Sequence, residues 1–265
     1  MNTAHTSFSN TGRVLLYLSL IMLFAFALRI GRCLVVTHMD KDSVMYIGVG
    51  KKLAHDGIKT AFERNPRIPP LYIFTIACGE YMGIDGETAG RAVSVLAGTL
   101  LTLAGFMVGW SLFKNANLAL ISAFLIAVHP FLIVISEDVM RDSLFDTLIA
   151  FSLAFALMGS EKGKFWQWGL SGLFAGLATL TRSEGSVMIL AIPIWIIVDL
   201  FVKRSEFKKT LFKFIPSFFF ALLIFCLCTF PVEYILKGTA SKWMVFDTRI
   251  FGYLKSVAGI EKNKK

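Results

Sequence analysis

The sequence predicts an all-α, polytopic integral membrane protein with about seven transmembrane helices, and three observations carry that prediction. Of 265 residues, 55% are hydrophobic and 17% charged, and the mean hydropathy is +0.66, far from the balance of a soluble domain. The apolar residues fall in runs of transmembrane length joined by short polar connections. The basic residues between those runs cluster largely on one side. No strand-period segment, internal repeat, P-loop or GxGxxG pattern interrupts the series, so no nucleotide cofactor and no nucleic-acid partner are expected.

The first run, 14–37, follows Arg13 and lacks a small-residue cleavage site, so it reads as an uncleaved anchor with the N-terminus inside. An outer loop, 38–90, comes next. Within it a helix is expected over 43–55, and 71–83 (LYIFTIACGEYMG), following Pro69-Pro70, is apolar but too short to cross and reads as an interfacial helix. Six further spans are expected near 88–113, 117–136, 143–159, 167–182, 185–202 and 212–231. Residues 1–231 thus form a transmembrane module. Residues 232–265, basic and interleaved with Trp243, Phe246, Phe251 and Tyr253, form a tail suited to a membrane surface.

Charge tests this layout. Arg13, Lys114, Lys162, Lys164 and the cluster Lys203, Arg204, Lys208, Lys209 and Lys213 all fall inside. Were 71–83 to span, that last cluster would lie outside. The outer loop and tail are also basic, which suits anionic membrane lipids as partners. Cys33, Cys78, Cys226 and Cys228 lie in or beside apolar stretches with no C-x-x-C pair, and read as packing residues.

Three polar groups fall on the outer face. Asp40 and Asp42 follow the first span, and Tyr46 lies four residues beyond Asp42, on the same helical face. A carboxylate at that junction can accept a proton from a hydroxyl, although both acids would also serve as ordinary helix caps. His38, Asp40, Asp42 and His55 match no standard metal spacing, so no metal is expected. The second group is Ser136-Glu137-Asp138-Val139-Met140-Arg141-Asp142; Asp138, Asp142 and Asp146 would form one acidic stripe on a continuous helix. The third comprises Arg67, Arg91 and Arg182, the last in Thr181-Arg182-Ser183-Glu184-Gly185. Each arginine suits a phosphate through its planar donor fork, or alternatively snorkels to the interface.

An aspartate after the first span with D-x-x-x-Y, then P-P-L-Y, an arginine opening the next span, an aspartate starting the fourth, and G-L-A-x-L-T-R-x-E-G together resemble the GT-C glycosyltransferases of the protein O-mannosyltransferase and lipid A aminoarabinose transferase type. The resemblance covers 14 to about 202. It implies that Asp42 matches the catalytic aspartate, with Asp40 as its alternative, and that Asp142 matches a second outer-loop aspartate. Arg91, Arg182 and Arg67 would be the donor-phosphate ligands, and Tyr46, Tyr72 and Glu184 substrate contacts. Ile68, rather than a basic residue, directly precedes Pro69. Members of this family usually continue beyond the point where this sequence stops, which reads as a minimal module, a fragment or an early end.

The resemblance further implies an inverting transfer of a sugar from a polyprenyl-phosphate donor to a lipid, glycan or protein acceptor hydroxyl. It requires no cofactor. The expected place is a bacterial inner (plasma) membrane with the active site outside, and acceptor recognition would fall to the 38–90 loop or to a partner protein. The competing class is a transporter or lipid-binding accessory subunit. Transporters favour midplane charges and inverted repeats, neither of which the sequence shows. Topology offers a direct check: single cysteines at positions 42, 142 and 182 should react with an impermeant thiol reagent from outside, and one at 208 should not. External labelling at 208 would overturn the arrangement.

Overall fold

The computed structural model describes residues 3–36, 39–63, 68–162, 164–189, 191, 193–194 and 207–236. Among the described residues there is no strand, as the sequence predicts. Four helices are long and apolar enough to cross a membrane: Thr11–Val35 within α1 (Thr3–Val35), Gly86–Phe113 (α5), Asp142–Glu161 within α8 (Asp142–Lys162), and Phe214–Ile235 within α10 (Phe207–Ile235). α9 (Phe165–Thr181), shorter at 17 residues, packs between α8 and α10. Most of the expected 185–202 span lies outside the described residues, as do Arg67, the Lys203–Arg204 pair and all but the first few residues of the expected tail.

α1 shows what surrounds the bundle. Leu18, Ala25 and Arg29 form its buried face, whereas Leu15, Leu16, Leu20 and Leu23 are more than half exposed along the other. Such a long apolar stripe facing outward matches a hydrocarbon solvent.

The expected third span breaks in two. α6 (Ala116–Val128) stops at His129, whose backbone is extended (φ −66, ψ 118), and Pro130 then opens the short α7 (Pro130–Val134). Proline lacks the N–H that would continue the ladder and disfavours helical backbone at the residue before it, so the run is too short to remain one straight span. A non-helical turn over 135–141 follows, and α8 starts only at Asp142. Asp138 is therefore off the helix, and the expected acidic stripe reduces to Asp142 and Asp146.

The first loop folds as three helices too short to cross: α2 (Lys41–Asp56), α3 (Ile58–Glu63) and α4 (Pro70–Tyr81). Gly57, at φ +84, ends α2, and Pro70 opens α4 at the first-turn position that tolerates a missing N–H. Asp85 caps α5 by accepting from the Glu87 and Thr88 amides at 3.0 and 3.5 Å. Tyr46, Phe62, Tyr72, Ile73 and Ile76 of this cap share one core with Val139, Leu180 and Leu236. The C-terminal ends of α1, α9 and α10 thus meet the N-terminal ends of α5 and α8 beneath the cap, while the Lys114–Glu161 ion pair joins α5 and α8 at the opposite end.

Small and hydroxylated residues let the helices approach. Ser152 and Ser171 exchange hydrogen bonds across α8 and α9, each hydroxyl donating to the other's carbonyl at 2.9 Å, and Thr147 donates to the Ala97 carbonyl at 2.7 Å. Gly172 lies against the backbone of Ala221 on α10, leaving no room for a side chain. Gly172→Ala should accordingly destabilise the bundle by about 1–3 kcal/mol through forced separation of α9 and α10. A thermal melt in detergent checks this, and an unchanged midpoint would show that the two helices are not in backbone contact.

Candidate active site

The turn over 135–141 is fastened from two sides. Arg32, in the last turn of α1, forks onto the buried carboxylate of Glu137 at 2.7 and 3.1 Å, and the Cys33 thiol faces the Glu137 carbonyl at 3.5 Å. From α5, Ser94 donates to the Met140 carbonyl at 3.1 Å. Val139 is fully buried and fills the space left by Gly90, where any side chain would collide with it. These ties fix the end of the turn, which delivers Arg141 and Asp142 to the underside of the cap.

Tyr46 is where cap and bundle meet. It is 3% exposed, lies edge-on to Tyr72 with ring centroids 5.8 Å apart, and has the Arg141 guanidinium over its ring at 5.8 Å. Tyr72 is held in turn by the Gly90 carbonyl at 3.0 Å and the Ser94 hydroxyl at 3.1 Å. Burial pushes the Tyr46 phenol above its ordinary value; Arg141 and Arg182 oppose that shift, and Asp42 and Asp142 reinforce it. Burial likewise pushes the Tyr72 phenol far up, partly offset by its bond to Ser94. Both rings therefore stay neutral at physiological pH and can act as hydrogen-bond donors.

Asp42 and Asp40 are exposed at the start of α2, and the Asp40 side chain makes no capping hydrogen bond. The capping alternative for Asp40 is thus not used. Across from them, Arg182 forms an ion pair with Asp142, lies 3.8 Å from Glu184, and stacks over Phe145 at 5.3 Å. Burial alone would push Glu184 up. Its own backbone amide and the Arg182 charge outweigh that, holding the carboxyl below the usual glutamate range.

Among the sequence-expected site residues, Asp42, Tyr46, Tyr72, Asp142, Arg182 and Glu184 are brought together at this end, linked through the shared surroundings of Tyr46. Arg91 sits to one side. It donates to the Val36 and Cys33 carbonyls at 2.9 and 3.3 Å and pairs with Glu87 at 3.0 Å, closing the C-terminus of α1. Lys51, on α2, pairs with Asp85 at 3.1 Å and Glu80 at 3.5 Å. Sequence reasoning did not single out Arg141, Arg32, Glu137 or Arg29. The signal for Arg29 and Arg32 was present, since a charged residue inside an apolar run rarely lacks an interior partner.

The buried Tyr72 hydroxyl offers a test of this framework. Tyr72→Phe should lower stability by about 1 kcal/mol, the net worth of a buried hydrogen bond, by loosening α4 from α5. A detergent melt paired with amide exchange over 70–81 reads both effects. Unchanged exchange there would mean that the hydroxyl does not anchor the cap.

Residues 67–231 match the family model for dolichyl-phosphate-mannose-protein mannosyltransferase. The match takes in Tyr72, Arg91, Asp142, Arg182 and Glu184 and begins after Asp40, Asp42 and Tyr46. No curated protein matches the chain.

Proposed function

The chain belongs to the dolichyl-phosphate-mannose-protein mannosyltransferase family, and from that premise we propose that it is an inverting glycosyltransferase moving a sugar from a polyprenyl-phosphate donor to an acceptor hydroxyl at the outer face of the membrane. The observation that supports this most is the convergence of two aspartates and two arginines, Asp42, Asp142, Arg141 and Arg182, on Tyr46 at the capped end of the bundle. Acids and guanidiniums facing one another at a membrane boundary suit a substrate with a hydroxyl to deprotonate and a phosphate to hold.

Asp42 is the general base in this reading. It is exposed at the mouth, one helical turn from Tyr46, where an acceptor can reach it. The acceptor oxygen forms a bond to the anomeric carbon as its proton passes to the Asp42 carboxylate. The bond from that carbon to the phosphate oxygen breaks on the opposite side, so the configuration inverts and polyprenyl phosphate leaves with the electron pair. A phosphate leaving group needs no acid to protonate it, but it does need stabilisation of the charge it gains.

Asp142 keeps the Arg182 guanidinium aimed at the site, and Glu184 limits its swing. Arg91 and Arg67 remain further candidates for the donor's phosphate, and Tyr46, as a neutral phenol, is a donor for a sugar hydroxyl. The fastening of Tyr72 to Gly90 and Ser94 makes it the support on which Tyr46 rests. The polyprenyl tail would lie among the helices.

Asp42→Asn should lower sugar transfer by roughly 10²–10⁴-fold while the protein still folds, because the amide keeps the shape but cannot take the proton. Asp40→Asn should do much less. Transfer from a polyprenyl-phosphate sugar to a hydroxyl acceptor by purified protein, with a melt as the folding control, measures both. Exchanged effects would make Asp40 the base, and no effect from either would remove the proposed mechanism.

A further inference from the structure

We propose that the corner over residues 81–84, which joins α4 to α5, is a membrane foot: the side chains of Tyr81, Met82 and Ile84 enter the headgroup boundary of the leaflet on the capped side and tie the cap to that lipid surface. The contact would exist whether or not the chain transfers a sugar.

The sequence places the whole of 71–83 on the interface, and the structure narrows that contact. The body of α4 is enclosed, packed against α2, α5 and α9, with Tyr72, Ile73, Ile76 and Gly79 buried. Gly79 lies so close to Ala89 of α5 that it has no room for a side chain. Past that contact the apolar surface turns outward. Tyr81 is 85% exposed, Met82 76% and Ile84 42%, and Cys78 is exposed one turn earlier. Large apolar side chains clustered this far out of a folded surface mark a place that meets something other than water.

The corner is not a frayed end. Gly83, at φ +82, lets the Ile84 amide donate to the Gly79 carbonyl at 2.9 Å and the Gly83 amide to the Glu80 carbonyl at 3.0 Å, the paired bonds that close a helix on a left-handed glycine. Asp85 then caps α5. The backbone thus fixes the three side chains in their outward positions. The acids beside them are occupied: Glu80 accepts from the Gly86 amide and pairs with Lys51 at 3.5 Å, and Asp85 pairs with the same lysine at 3.1 Å. The corner therefore presents little unmatched charge to a headgroup layer.

Depth and continuity identify the partner as lipid. α5 is 28 residues long, about 42 Å at 1.5 Å per residue, against a hydrocarbon core of about 30 Å. Divided between the two ends, the surplus carries the first turn of α5, and the corner before it, to the level of the headgroups. Thr88, Ala92, Leu96 and Leu100 recur every four residues along α5 as an exposed stripe, and Ile84 stands four residues ahead of Thr88, at its head. The stripe borders an apolar groove shared with Phe26, Ile30 and Leu34 of α1, so the corner continues a face that the bundle turns to hydrocarbon. Tyrosine, with a hydroxyl on an apolar ring, suits that boundary.

The test is the depth of a nitroxide at position 82 of the full chain in liposomes of phosphatidylcholine and phosphatidylglycerol. Cys33, Cys78, Cys226 and Cys228 are replaced by alanine, and Met82→Cys supplies the one thiol. Labels at Leu96→Cys, on the lipid-facing stripe, and at Lys52→Cys, exposed on α2, set the two limits. The ratio of collisions with oxygen, which concentrates in lipid, to those with a water-soluble nickel complex should be several-fold higher at 82 than at 52, placing the label about 5–10 Å into the boundary. Adding Tyr81→Asp and Ile84→Asp to Met82→Cys should bring that ratio down towards the value at 52, with a melt in detergent confirming the fold. Equal ratios at 82 and 52 would overturn the proposal, because the corner would then stand in water. Shielding of position 82 from both reagents would overturn it too, since protein, such as a second copy of the chain, would then cover the corner. An unchanged ratio in the folded Tyr81→Asp, Ile84→Asp protein would show that these side chains do not hold the corner in lipid, and the foot would fall. Should that variant not fold, the comparison of 82 with 52 and 96 decides by itself.

Discussion

The bidentate contact between Arg32 and Glu137 is the constraint on which the capped end depends. It joins the last turn of α1 to a stretch 105 residues away that is neither helix nor span. In hydrocarbon, backbone that leaves the helix must find partners within the protein, so a break like the one at His129-Pro130 requires nearby donors and acceptors. α1 provides them at successive turns. Arg29 donates to the Ala127 carbonyl, close to where Pro130 interrupts the ladder, and Arg32 then holds the carboxylate beyond the break. A helix that reads in sequence as a plain anchor thereby determines where the chain can turn back.

Everything placed above that turn inherits its position. Val139 is seated against Gly90, Met140 is tied to Ser94, and Ser94 also bonds the Tyr72 hydroxyl, so the same α5 residue registers both the turn and the cap. Tyr72 then supports Tyr46 edge-on, and Tyr46 carries Arg141 on its face. The chain of contact runs from a buried serine on a span to the half-buried Arg141 through two tyrosines. Each link depends on close approach: Gly50 admits Ile76 between α2 and α4 as Gly90 admits Val139. A cap built on short helices would be mobile by itself, and these contacts make it an extension of the bundle.

Much of this was legible in the sequence, for identifiable reasons. The long apolar runs gave α1, α5, α8 and α10 because their signal is summed over many residues. The shortness of 71–83 after two prolines gave α4, and the four-residue spacing placed Asp42 and Tyr46 on one helix. The break at Pro130 was hidden because a hydropathy window averages over a single proline in an otherwise apolar stretch. Arg141 lies within an acidic run, and its stacking on Tyr46 joins residues 95 positions apart in the chain, beyond any local pattern. Arg91 opens a span in the sequence, and its bonds to the carbonyls ending α1 join residues 55 and 58 positions apart, which periodicity does not register.

Ion pairs knit the capped end together. At the capped end Arg32 is matched by Glu137, Arg91 by Glu87, Lys51 by Asp85 and Glu80, and Arg182 by Asp142. Glu137, Glu80 and Arg91 are the shielded members of these couples, and a charge kept where water is scarce is expensive unless paired. Arg141 stacks on Tyr46, and Asp42 lies one turn before that tyrosine on α2. Asp42 is exposed at the start of α2, and Arg141 is half-buried beneath the cap. An ion pair within the protein would hold either side chain in one place, as the Arg32–Glu137 contact holds the turn.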